Sequence, residues 1–171
     1  MAQRFQREAI TAARLNHRNI IRVSDFGQND DGRLYLVMEY LKGGTLLDEI
    51  KKQGTLSVEE ALPIWIKICD GLNHAHNQGV LHRDVKPSNV MMAVEPDGKV
   101  IPKLVDFGLA KLKGDNRTDT TGGRVFGSPS YLSPEAVRGE AIDFRTDIYS
   151  FGCLIFETLT GRPPFLAGTA F

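Results

Sequence analysis

His82-Arg83-Asp84-Val85-Lys86-Pro87-Ser88-Asn89 and, after a strand-like interval, Asp106-Phe107-Gly108 are the stretches whose reading decides this chain. The first run places a Lys two residues after Asp84 and an Asn five residues after it. The second sets a further Asp ahead of a Phe and a Gly. An aspartate can orient a hydroxyl, and a lysine can neutralise charge on a group in transit. Asn and Asp offer the oxygen ligands that magnesium, a hard cation, requires. Phosphoryl transfer needs this set, because it depends mainly on positioning and charge stabilisation. On this ground Asp84 is the catalytic carboxylate, Lys86 the cation on the transferred group, and Asn89 and Asp106 the metal ligands.

Outward from these runs the chain alternates short strands and helices. Arg4 to Leu15 reads as a helix with Phe5, Ala9, Ala12 and Ala13 on its apolar face. Ile20 to Phe26 and Leu34 to Tyr40 read as strands, joined as a hairpin by the turn residues Asn29-Asp30-Asp31-Gly32. Thr45 is placed to cap a short helix. Ser57-Val58-Glu59-Glu60 is a capping box opening a longer helix to about Asn77, with Gly79 at its end. Ala61, Leu62, Trp65, Ile66, Ile68, Cys69 and Leu72 are its expected buried face, and Pro63 is expected to disturb its second turn. Val90 to Val94 and Ile101 to Val105 read as strands around a turn at Pro96-Asp97-Gly98. Asp115 to Arg124 is polar and glycine-bearing, the composition of a mobile loop. Asp147 to Thr160 is apolar almost all round, which predicts a helix buried on every side.

Composition narrows the function classes. The 171 residues give room for one domain or part of a larger one. Basic and acidic residues number 21 each, so no general charge argument favours nucleic acid or an anionic membrane. Cys69 and Cys153 sit in apolar helical stretches and read as buried thiols of a reducing compartment. No run is long and apolar enough to span a bilayer, and Met1-Ala2-Gln3-Arg4 lacks the apolar core of a signal peptide. A cytoplasmic location is the resulting expectation. His74 and His76 lie in a predicted helix and point apart, which argues against a metal site there.

The two opening runs resemble the catalytic loop and metal-binding motif of protein kinases. Gly127-Ser128-Pro129-Ser130-Tyr131-Leu132-Ser133-Pro134-Glu135 resembles the substrate-docking end of the kinase activation segment, with Ser133 where Ala is usual. Arg4-Phe5-Gln6-Arg7-Glu8-Ala9 and Gly161-Arg162-Pro163-Pro164-Phe165 look most like bacterial Ser/Thr kinases of the eukaryotic type. The resemblance covers nearly all of residues 4 to 168. It implies an α+β two-lobe fold: a partial small lobe of one helix plus a hairpin in residues 1–40, then the hinge and a mostly helical large lobe in 41–171 that lacks its last helices. It also implies ATP and Mg2+ as cofactors and protein Ser/Thr acceptors as partners. It implies no nucleic acid, and a kinase–kinase dimer is compatible with it. The full-length relatives often continue into a membrane segment and a sensor domain.

Further roles follow from the same resemblance. Glu8 matches the helix glutamate that pairs with an ATP-site Lys. Met38, Glu39 and Leu41 match the hinge, with Met38 lining the back of the adenine pocket and the backbone of Glu39 and Leu41 bonding adenine, so that side-chain identity matters little there. Met91 is the pocket floor. His82 is a packing residue, stacked with Phe107, Val23 and Ala12 and anchored by Asp147. Arg83 and Lys111 are cations for an activation-segment phosphate, with Thr118, Thr120 and Thr121 as acceptors. Glu135 is expected to be unpaired, since its usual Arg partner comes later than Arg162. Ser88 and Thr45 stand where acids recognise basic substrates in some relatives, which predicts no strong preference for Arg-rich targets.

No G-x-G-x-x-G occurs in the sequence, and its first Lys is Lys42. The chain therefore reads as the middle of a kinase domain with both ends cut away, expected to be marginally folded and essentially inactive by itself. The competing reading is a catalytically silent kinase-like module that binds protein partners. The intact Asp84, Asn89 and Asp106 favour the enzyme.

Overall fold

Asn29 closes the first hairpin with its own side chain and backbone. Its Oδ1 accepts the Arg33 N–H at 2.7 Å, and its N–H donates to Arg33 O at 2.9 Å. In the computed structural model, which describes residues 14–107 and 129–165, this turn joins β1 (Val23–Gln28) to β2 (Leu34–Met38). The expected first helix with Glu8 and Ala12, Gly108, and the loop bearing Lys111, Thr118, Thr120 and Thr121 lie outside these residues; of the span expected to be helical only Arg14 and Leu15 are described, Arg14 in a turn and Leu15 in no regular element. The two strands are antiparallel, Val23 opposite Met38, with an irregularity between Val23 and Asp25.

The hairpin starts later than the apolar pattern suggested because Ile20 and Ile21 are taken by another strand. The Ile21 N–H donates to Leu104 O at 2.9 Å, and the Leu104 N–H donates to Asn19 O at 2.8 Å. Leu104 ends β4 (Val100–Leu104), which is antiparallel to β3 (Val90–Val94). Buried Asn19 adds a side-chain bond to Pro102 O at 2.8 Å. Segment 19–21 is thereby stitched to the second sheet, which fixes where the first hairpin stands.

Between the hairpins, residues 42–44 run along β3. The Val94 N–H donates to Lys42 O and the Met92 N–H to Gly44 O, both at 2.8 Å, and Thr45 bridges Met91. Gly43 has φ +126°, and a Cβ there would lie 2.1 Å from Met92 O, so only glycine lets the chain pass this close.

The helices begin where local chemistry told them to. Thr45 accepts the Asp48 N–H at the start of α1 (Leu46–Gln53), and Asp48 returns the bond to the Thr45 N–H at 2.8 Å. Ser57 and Glu60 form the same reciprocal box on α2 (Val58–Asn77). Gly79, at φ +71°, ends α2 with a Schellman pair: Gly79 N–H to His76 O and Val80 N–H to Ala75 O. The helix runs through Pro63 without a break.

Two expectations about helix faces need correction. The buried face of α2 is Ala61, Trp65, Ile68, Gly71, Leu72 and Ala75. Leu62 and Ile66 are 48 % and 53 % exposed, and Cys69 is exposed too, because each lies one position round the helix from the buried stripe. Of the two thiols only Cys153 is buried. The last helix, α4 (Phe144–Thr160), is not buried all round. Asp143 caps it, and it packs through Phe151 and Leu154 into the core, while Phe144, Ile148, Phe156 and Leu159 face outward. Its apolar circumference exceeds what its neighbours among the described residues cover.

The core joins Leu46 and Ile50 of α1, Trp65, Ile68 and Leu72 of α2, Val90 and Leu104 of the second sheet, and Phe151 and Leu154 of α4. The architecture is α+β, with two two-stranded antiparallel sheets, α1 and α2 packed on the second and α4 packed against α2. Among the described residues, no helix is long and apolar enough to cross a membrane.

Candidate active site

The loop from Val80 to Asn89 leaves α2 and enters β3 through a 3-10 turn, Pro87–Asn89. Two of its side chains, His82 and Val85, are fully buried, so the loop is anchored from within. Its main fastening is Asp147 on α4, also fully buried. Asp147 Oδ2 accepts the His82 N–H at 2.8 Å, Oδ1 accepts the Arg83 N–H at 2.7 Å, and His76 Nε2 meets Oδ2 at 2.8 Å. Burial alone would raise the Asp147 carboxyl, but the bonds from His76, Arg83 and His82 outweigh it and hold the group below its ordinary value.

These bonds hold a strained backbone. Arg83 has φ +67°, a conformation that costs a non-glycine residue about 1–3 kcal/mol. Asp106, at the other motif, has φ +63°. Left-handed non-glycine residues at both motifs mark a site whose geometry the surrounding structure enforces.

Asp84 follows Arg83, and its carboxylate is met from two sides. Lys86 Nζ lies 2.7 Å from Asp84 Oδ2, and Asn89 Nδ2 donates to the same oxygen at 2.9 Å and to Asp84 O at 2.8 Å. The Asp84 N–H donates to His82 Nδ1 at 3.3 Å. Because the Asn89 amide nitrogen is engaged twice by Asp84, its oxygen is the atom left for a cation. The Asn89 main-chain carbonyl accepts the Val105 N–H at 3.0 Å, which ties the loop to the residue before Asp106.

Phe107 is buried with its ring 4.4 Å from that of His82. Burial pushes the His82 imidazole below its ordinary value, against the pull of Asp147 and Asp84. Asp106 and Phe107 line a small cavity with Leu15, Ile20, Ile21, Val23, Leu36 and Met38. Among the described residues, no three His, Cys, Asp or Glu side chains are grouped to hold a metal ion. One Asp and one Asn are nonetheless enough for magnesium, which keeps waters and phosphate oxygens in its shell.

Just after β2 the Glu39 side chain is engaged from two sides: its Oε1 accepts the Arg22 N–H at 2.8 Å and Lys103 Nζ at 2.6 Å. The Glu39 N–H donates to Arg22 O at 3.0 Å. Met38 ends β2, Leu41 is half-buried, and half-buried Met91 sits in β3 opposite Lys103.

Glu135 accepts the Thr146 hydroxyl at 2.8 Å and makes no ion pair among the described residues. Ser133 caps the short helix α3 (Pro134–Val137) by accepting the Ala136 N–H, a role that Ala at this position could not fill. Tyr131 donates to buried Glu157, and its carbonyl accepts Ser150 Oγ at 2.7 Å. Burial and that carboxylate push the Tyr131 phenol up. Among the described residues, Arg83 Nε is buried without a hydrogen-bond partner.

Sequence reasoning missed His76, the Glu39 side chain, Asn19 and the Tyr131–Glu157 pair. Each acts across a long stretch of chain. His74 and His76 do point apart, His74 stacking on His17 at 5.1 Å while His76 meets Asp147.

A family model described as the protein kinase domain matches residues 1–170. Serine/threonine-protein kinase PknB of Mycobacterium leprae is 43% identical over 166 residues, covering 95% of this chain and 26% of that protein. Serine/threonine-protein kinase pkn3 of Myxococcus xanthus is 40% identical over 170 residues, covering 98% of this chain and 31% of the relative. Among solved structures, the Mycobacterium tuberculosis PknI kinase domain aligns with a TM-score of 0.77 at 34% identity, over 96% of this chain and 59% of that one. The chain thus spans a minor part of these curated relatives and over half of the solved domain.

Proposed function

Because this chain belongs to the protein kinase domain family, we propose that it transfers the γ-phosphoryl group of ATP to Ser or Thr hydroxyls of proteins. The observation that carries this reading is the Asp84 carboxylate, held between Lys86 Nζ and Asn89 Nδ2 on a loop pinned by Asp147. Asp84 accepts a hydrogen bond from the acceptor hydroxyl and aims its oxygen at phosphorus. Lys86, already beside Asp84, offsets charge that develops on the moving group. Members of this family use a divalent metal; Asn89 and Asp106 are the residues to hold it, and bound there it would neutralise phosphate charge.

Adenine is held by backbone groups of Glu39 and Leu41, with Met38 behind it and Met91 below. Arg83, whose buried Nε has no partner among the described residues, is the site for a phosphate on Thr118, Thr120 or Thr121, with Lys111 as second cation. The cytoplasm, where ATP is supplied, is the proposed compartment. Mass spectrometry of a mixed Ser/Thr/Tyr peptide library incubated with the intact protein, ATP and magnesium tests this. Phosphoserine or phosphothreonine that disappears on chelation is the expected result. Phosphotyrosine alone would overturn the acceptor assignment, and no incorporation would favour a silent binding module.

A further inference from the structure

Glu39 sits at a crossing of three elements. Its side chain takes the Arg22 N–H and the Lys103 ammonium, and its N–H goes back to Arg22 O. Arg22 directly precedes β1, and Lys103 stands on β4 three residues ahead of Asp106. The Lys103 and Glu39 side chains are 15% and 31% exposed, so their 2.6 Å pair is partly shielded from water. Further along, Lys42 O and Gly44 O are bonded to β3. The chain between Glu39 and Lys42 is thus fastened at both ends, with Tyr40 and Leu41 between. Charge-assisted bonds hold geometry more firmly than neutral ones. Both bonds to the Glu39 carboxylate are of this kind, and Lys103 also brings the opposite charge.

We infer that Glu39 and Lys103 are a positioning pair that sets nucleotide affinity by holding the hinge backbone at a fixed distance from the strand leading to Asp106. This rests on the hinge reading proposed above. Neither side chain is asked to touch the nucleotide. Their pairing fixes the peptide groups that do, and removing it loosens binding without altering the loop around Asp84. The same two residues line an open groove behind the hinge with Tyr40, Leu41, Val94 and Pro96.

The test is displacement of a fluorescent ATP analogue by Mg-ATP from the intact protein, together with kcat and KM for ATP. Glu39→Gln keeps an acceptor for the Arg22 N–H and removes the charge; Lys103→Met keeps the stem and removes the ammonium. Each variant is expected to weaken binding about tenfold, the factor that 1.4 kcal/mol represents, and for Lys103→Met, which lies outside the nucleotide contacts, kcat is expected within about twofold of wild type. The double variant is expected to be no weaker than the worse single one. Lys99→Met, which removes an exposed pair with Asp97 in the adjoining turn, is expected to bind as wild type does. Wild-type protein that binds no nucleotide would overturn the hinge reading itself. Wild-type protein that binds, with both single variants binding equally well, would overturn the positioning pair alone. So would additive losses in the double variant. Equal thermal midpoints across the set separate a loosened hinge from a loosened fold.

Discussion

The loop around Asp84 and the segment from Glu39 to Gly44 are both short, irregular and central to the proposed chemistry, yet they are held in opposite ways. The loop is fixed by side chains reaching its backbone: Asp147 takes two of its N–H groups, and Asn89 takes the Asp84 carbonyl. The segment from Glu39 to Gly44 is fixed largely by its own backbone lying against β3, with Glu39 as a charged anchor. A region held by side chains depends on residue identity at many positions. A region held by its backbone depends on residue identity only where geometry is tight, as at Gly43, or charged, as at Glu39.

Breaking the loop's anchor should have the larger effect. Asp147→Ala would leave the His82 and Arg83 N–H groups unpaired in the interior and release a strained φ at Arg83. The expected loss is about 3 kcal/mol or more of stability, read from the denaturant midpoint, with transfer activity falling in step. On the hinge side, Gly43→Ala places a methyl 2.1 Å from Met92 O at a φ that suits glycine alone. A loss of about 1–3 kcal/mol is expected, with weaker nucleotide binding as the hinge is pushed off β3.

Acid should act on the loop through its buried histidine. The buried His82 imidazole refuses a proton that the unfolded chain, with histidine near 6.5, accepts. Stability therefore falls as pH drops below about 6.5 and stops falling, for this group, below the folded value. His17, also lowered by burial and by His74, adds to the same window. Asp147 acts lower: its folded value lies beneath 3.8, so its contribution is intact above 3.8 and is lost as pH falls through the folded value. Urea midpoints between pH 8 and pH 5 should slope for the wild type and flatten in part for His82→Phe. An unchanged slope would remove His82 from this account. The smallest effect belongs to neither region: Arg18→Ala breaks an exposed pair with Glu95 and should shift the midpoint by less than about 1 kcal/mol.

This contrast also explains what could be read from the residues alone. Asp84, Lys86 and Asn89 lie within six residues, so their spacing already states their geometry, and the structure joins all three. Helix starts were legible for the same reason, since Ser57 and Glu60 satisfy each other one turn apart. The expected face of α2 is right at Ala61, Trp65, Ile68 and Leu72 but too wide, because both stripes are apolar and only tertiary packing excludes Leu62, Ile66 and Cys69. His76 with Asp147 and Glu39 with Lys103 were invisible because each pair joins residues more than sixty positions apart, and no local pattern marks them.

The proposed role of Asp84, as held by this loop, is to direct phosphoryl transfer. The most direct measurement is kcat beside the nucleotide dissociation constant for Asp84→Asn in the intact protein. Loss of the carboxylate's acceptor charge should lower kcat by about 10²–10⁴-fold while nucleotide affinity stays within about twofold. Undiminished turnover in Asp84→Asn would contradict the account.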